Sequence, residues 1–211
     1  GDVFLFPSLS DTFGDGWVTE VPAAVDVRGG AHFQADGYEI LDSVGLAFHA
    51  RSGSTALLRS GRLLRATDAT SLFEPPPPAP GTPPPGWVWA LVIVDTGATA
   101  QIAGKPHSAD QAVVRAIGPD AVPPGAVDIG YALAGAIVGS GSRLTLSDAL
   151  VHDTNVGITI QGTPSQPLEC LMTNVWLRRN GANLEAQTLP LPPLPGEAPP
   201  PPPVCATVAW R

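Results

Sequence analysis

Lysine is almost missing from this chain. Lys105 stands alone, and arginine supplies the rest of the 11 basic residues, against 19 acidic ones in 211 residues and a net charge of −8. The arginines are scattered apart from Arg178-Arg179, so a phosphate backbone finds no clustered basic face and nucleic acid is not an expected partner. Cysteine is as scarce: Cys170 and Cys205 form no CxxC pair and have no histidines at zinc-site spacing, so no metal centre is expected. No apolar window reaches the roughly 18 residues of a membrane helix. The longest, WVWALVIVDTGA, is interrupted by Asp95 and a glycine, and no membrane insertion is expected. Catalytic signatures are missing too. There is no GxSxG, no GxGxxG between a strand and a helix and no GxxxxGK[ST], so no cofactor is expected. The string SDTFGDGW carries Asp11 and Asp15 but lacks the alternating oxygen ligands and terminal Glu of a calcium loop.

What is present points to a packed β protein. Apolar residues make up 44% and charged ones 14%, which takes the segments outside the proline tracts out of the disordered class and suits a single domain over 1–211. The stretch LTLSDALVHDTNVGITIQ (144–161) alternates, breaks at Ser147-Asp148, resumes with Leu150-Val151, breaks again at 152–155 and alternates through Ile158 and Ile160. Residues 32–49 lie beneath it without a gap, with Asp36 on Asp148, Gly45 on Gly157, Leu46 on Ile158 and Phe48 on Ile160. A third copy, 170–187, sets Asn174 on Asp148, Trp176 on Leu150, Leu184 on Ile158 and Ala186 on Ile160, with Asn183 in the glycine position. Residues 55–74 form a looser fourth. Strands of three to five residues cannot bury themselves. Stacking the next copy at about 4.8 Å pairs their backbone groups in a parallel ladder and closes an apolar column. Asp or Asn at the turn tolerates a left-handed backbone, and stacked Asx residues are expected along one corner.

These copies resemble the repeat of the right-handed parallel β-helix family, the pectate-lyase-like β-solenoids: an alternating apolar pair, an Asn or Asp turn, a single apolar residue, a polar stretch, Gly and a second apolar pair. The resemblance spans roughly 32–74 and 135–211. It implies an all-β, right-handed parallel β-helix of six or seven short irregular coils, usually extracellular or on a cell surface. It implies no single activity, because the family includes polysaccharide lyases and hydrolases, tail spikes, adhesins and structural surface proteins. A β-sandwich is the competing architecture, since it too has many short strands.

Two tracts hold 17 of the 25 prolines, within 74–86 and 189–203. Proline lacks the ladder donor, so both are expected as loop insertions, at the same corner of the solenoid. They are either polyproline arms for a partner or spacers that cost little closure entropy. Residues 104–125 form another irregular insertion, with a short helix expected at 108–116. Cys170 and Cys205 are expected at matching places in successive coils, either bridged or packed as thiols. The strand-like end VCATVAWR, with no turn after it, suggests a segment of a longer chain.

Chemistry is sought on the repeat surface. His152 and Asp153 stack against Arg178 and Arg179 of the next copy, with Asp148 nearby. The resemblance implies that an active member would set carboxylates and a basic residue along one outer sheet, as these five are. The other reading is a set of ordinary surface ion pairs. Trp87, Trp89 and Trp176 occupy strand positions, either outward, where tryptophan stacks on sugars or fills an interface, or inward in the core. The expected function is a non-catalytic extracellular or cell-surface scaffold or adhesion segment, self-associating through its terminal strands. The alternative is a carbohydrate-active or carbohydrate-binding β-helix with a polysaccharide partner.

Overall fold

A computed structural model describes residues 2–4, 12–13, 17–18, 23–67, 90–105, 121–139, 141–162, 166–188 and 205–210. Only the backbone is described at 2–4, 12–13, 17–18, 44, 67, 162, 187–188 and 205–210. All regular elements among these residues are strands. Three short ones come first: β1 (Asp2–Phe4), β2 (Thr12–Phe13) and β3 (Trp17–Val18). The chain then winds. The first winding is β4 (Ala23–Arg28), β5 (His32–Asp36) and β6 (Glu39–Val44), and the second is β7 (Leu46–Ala50), β8 (Thr55–Arg59) and β9 (Arg62–Thr67). The third takes β10 (Ala90–Val94), β11 (Thr99–Ala103) and the start of β12 (Val127–Gly139). Later windings run through β13 (Arg143–Gly162), β14 (Leu168–Arg178), β15 (Ala182–Thr188) and β16 (Cys205–Trp210).

Each winding adds one parallel strand to each of three columns. The first column stacks β4, β7, β10, the second half of β12, the end of β13 and β15. The second stacks β5, β8, β11 and the starts of β13 and β14, then β16. The third stacks β6, β9, the start of β12, the middle of β13 and the end of β14. The result is a 14-stranded, nearly closed, barrel-like sheet with a solenoid-like path. Parallel pairing throughout the columns rules out the sandwich for these strands. Among the described residues antiparallel pairs occur only where β1 runs along the outer edge of β4 and between β2 and β3.

Backbone chemistry sets the corners. Between the first and second columns, Gly29-Gly30, Ser52-Gly53 and Thr96-Gly97 all have positive φ. Each pair is closed by a backbone bond across the turn, 3.1 Å from Ala31 to Arg28, 3.2 Å from Ser54 to Arg51 and 3.0 Å from Ala98 to Asp95. That is the type I′ geometry, which demands glycine or a small polar residue. Here it passes the chain between sheets instead of closing a hairpin. Between the second and third columns a single left-handed residue recurs as Gly37, Ser60, Asp148 and Asn174, and Asn174 Nδ2 donates to Asp148 Oδ1 at 2.6 Å. The expected Asx ladder exists there, without Asp36.

The interior is an apolar column in which Phe48, Leu58, Ile129, Leu144 and Ile158 are fully buried. A second buried cluster, Leu46, Ala90, Ala134 and Ile137 with Ile93 against it, is separate from the first. Ile93 alternates with core residues Val92 and Val94, which places it on the opposite face of the first column.

The register corrects several expectations. Residues 170–187 stack on 144–161 as aligned, Cys170 opposite Leu144 and Leu184 opposite Ile158. The earlier copy slips. Successive ladders put Asp36 in line with Ser147, not Asp148, because Phe33 and Ala35 pack against the core in line with Leu144 and Leu146. In the first column Phe48 is in line with Ile158, two residues from its expected partner. The insertions also do not share a corner. Residues 68–89 connect the third column to the first, 104–126 the second to the third, and 189–204 the first to the second. Cys205 falls opposite Leu168 and Val208 opposite Cys170, so the cysteines are not at matching places. The Cys205 side chain, both proline tracts, the helix expected at 108–116, Asp11, Asp15, Trp87 and Trp89 lie outside the described residues.

Candidate functional site

The site is built around a missing side chain. Gly130 in β12 is in register with His152 in β13, and a Cβ at position 130 would come within 2.6 Å of His152 Nε2. Glycine therefore leaves room for the imidazole to lean over the preceding strand. There Nε2 lies 2.8 Å from Asp128 Oδ1, while Nδ1 lies 2.6 Å from Asp153 Oδ2. Tyr131 meets the ring edge-on, with centroids 5.0 Å apart. Both nitrogens face carboxylate acceptors, which only the imidazolium satisfies, since neutral imidazole has one donor. Burial works against the charge on His152, but hydrogen bonds to Asp128 and Asp153 and their charges outweigh it, and the pKa is raised.

The corner after the third column carries a ladder of left-handed residues, Asp42, Arg65, Tyr131, Asp153 and Arg179, one from each winding. Asp42 and Arg65 form an exposed ion pair. Arg179 grips Asp153 with both arms of its fork, Nε to Oδ1 at 2.7 Å and Nη2 to Oδ2 at 2.5 Å. That bond, assisted by His152, holds the Asp153 carboxyl well below the usual carboxylate range.

Of the five expected residues, the fold gathers His152, Asp153 and Arg179. Arg178 is in register with His152 and donates to the Ala121 carbonyl at 3.3 Å, tying the 104–126 insertion to the third column. Asp148 is at a different corner, bonded to Asn174, and is not part of the cluster. Trp176 is half-buried, in register with Leu150.

Asp128 was missed. It lies one winding before His152, in a segment that did not align with the repeat until Ile129 is set on Val151. A second cluster was missed as well. Arg51, 4% exposed, clamps the fully buried Asp26, Nε to Oδ1 at 3.1 Å and Nη2 to Oδ2 at 2.8 Å. His49 sits between Asp26, at 4.0 Å, and Asp95, at 3.2 Å. His49 is buried as well.

In chemical terms both clusters are closed. Each carboxylate already faces an arginine or a histidine, and His152 has no nitrogen left to take or give a proton without breaking a hydrogen bond. Among the described residues no group of His, Cys, Asp and Glu is arranged to hold a metal ion. Beside Asp128 a cleft of about 390 Å³ opens, lined by Ser60, Arg62, Lys105 and residues 122–126. No protein-family profile, curated protein or solved structure matches the chain.

Proposed function

We propose that the protein is a right-handed parallel β-helix working outside the cell or at its surface as a non-catalytic scaffold or adhesion segment. Right-handedness is supported by a general preference: each return to a column joins parallel neighbours in one sheet, and strand twist favours the right-handed form of such connections. The single observation that carries the non-catalytic reading is the closure of the Asp128–His152–Asp153–Arg179 network. A general acid or base needs a group poised to exchange a proton with a ligand, and here the candidates exchange hydrogen bonds with one another. The sparse lysine, the proline tracts and the two cysteines support an extracellular location. Self-association is supported by the end of β14 and by β15, which among the described residues pair along one edge only, an arrangement that templates further strands.

Two measurements test this. Incubation with acidic and neutral polysaccharides yields neither unsaturated products by ultraviolet absorbance nor new reducing ends; either product overturns the reading in favour of a carbohydrate-active β-helix. Electron micrographs of concentrated protein show filaments; strict monomers at all concentrations remove the self-associating part.

A further inference from the structure

Six ionisable side chains alternate in sign along the third column and its corner. Glu39, Arg62 and Asp128 are in register on β6, β9 and the start of β12. His152, Asp153 and Arg179 carry the series into the next two windings. Histidine is the one residue type among them that ordinarily changes charge near neutrality.

The contacts on the two sides of Asp128 are unequal. On one side His152 Nε2 lies 2.8 Å from Oδ1, a hydrogen bond between buried groups. On the other, Arg62 Nε stands 3.7 Å from Oδ2, close enough to feel the charge but roughly 0.8 Å beyond an ordinary hydrogen bond of about 2.9 Å. Arg62 also leans toward Glu39, with Nη1 3.6 Å from Oε1 and both side chains more than half exposed. A pair so exposed is screened and weakly held. Arg62 is therefore shared between a buried carboxylate and an exposed one.

While His152 is an imidazolium, Asp128 has a cation at bonding distance and Arg62 can lean outward. Loss of the ring proton takes that charge away, whichever nitrogen keeps the remaining hydrogen. Asp153 is provided for, since Arg179 holds both its oxygens and it reaches solvent. Asp128, 5% exposed, has Arg62 at 3.7 Å. A buried charge left without its partner costs far more than an exposed pair contributes, so the balance tips inward.

We propose that the third column holds a proton-operated exchange: Arg62 faces Glu39 while His152 is charged and closes onto Asp128 when the ring is discharged. Arg62 and Asp128 both line the cleft beside residues 122–126, so the exchange redraws that wall as pH rises. The ring is faced by Asp128 and Tyr131 from β12, by Asp153 of its own strand and by Arg178 in register on β14. Asp128 is faced by His152 and Arg62, with Lys105 lining the same cleft. Burial lowers the His152 pKa, but its two carboxylate partners outweigh this and raise it, so the exchange falls above pH 6.5. The device requires neither self-association nor catalysis.

A pH titration of the intact chain by NMR, reading the His152 ring and the Arg62 Nε–Hε group together, is the test. As the ring discharges, the Arg62 Hε signal moves downfield and exchanges more slowly with water. The amides of Val122, Gly125 and Ala126 shift with the same midpoint. His152→Gln holds the Arg62 signal in its alkaline position throughout, and Asp128→Asn holds it in the acid one. Glu39→Gln, a change at an exposed side chain, keeps the exchange and moves its midpoint to lower pH, because Arg62 then competes with His152 for Asp128 unopposed. An Arg62 signal that stays constant through the His152 step, or that still moves in Asp128→Asn, overturns the proposal. Loss of the exchange in Lys105→Gln overturns it as well, by making Lys105 the replacement cation. Circular dichroism of each variant separates a lost exchange from lost folding.

Discussion

Two histidine clusters, built from the same parts, lie on different columns and behave differently. On the first column Asp26 is 0% and Arg51 4% exposed, so their charges are satisfied by each other, with His49 packed alongside. On the third column His152 is as buried, yet its outer partners Asp153 and Arg179 reach solvent, and its inner partner Asp128 borders a cleft. The first arrangement is a lock, because removing one partner strands a charge out of water. The second grades from interior to surface, so its energetic weight falls along the chain of contacts while its sensitivity to solution conditions rises.

The sharpest way to break this comparison is to truncate the two arginines. Arg51→Met leaves Asp26 buried and uncompensated and is expected to cost about 3–5 kcal/mol, whereas Arg179→Met, at an exposed pair, costs under about 1 kcal/mol. Chemical denaturation measures both, and equal losses contradict the difference in burial. Next is Gly130→Val, which drives a side chain into the His152 ring and is expected to cost about 1–3 kcal/mol as overpacking. His152 resonances should move toward a free imidazole in the same variant.

The pH response sharpens the contrast further. His152 meets Asp128 and Tyr131 from β12, Asp153 in its own strand and Arg178 in register from β14, with Arg179 reached through Asp153. Its folded pKa is raised above the ordinary 6.5. Its contribution is therefore complete below that value and is lost as pH climbs through the folded one. Asp153 acts oppositely: its folded pKa lies below the ordinary 3.8, so its contribution is present above 3.8 and disappears as pH falls through the folded value. Thermal melts should thus be highest between these limits, and His152→Gln should flatten the alkaline side. A slope that survives that substitution assigns the effect elsewhere. Asn174→Ala removes the donor to Asp148 and costs about 0.5–1.5 kcal/mol, with no change in pH response.

How far the sequence foretold this differs along the chain for a physical reason. Where inward residues and turn letters agreed, as for 170–187 over 144–161, the register came out residue by residue. Where they conflicted, matching Asp36 to Asp148 was misleading, because the buried pair Phe33 and Ala35 decides which face turns inward and a slip of one exchanges the faces. The tight corner is legible in the letters themselves: Gly29-Gly30, Ser52-Gly53 and Thr96-Gly97 recur once per winding. Asp128 and Asp26 carry no local signal. Their partners lie 24 and 25 residues away, His152 and Arg51, and become neighbours only after the registers of separate windings are known.

The register also survives interruption. Phe48 and Val92 are paired neighbours although residues 68–89 intervene between their strands, and the second-to-third corner tolerates 104–126 in the same way. Hence the loop lengths of this molecule are free variables that inheritance or an engineer can alter, each of the three edges offering a socket for foreign peptide while the stacked frame keeps its pitch.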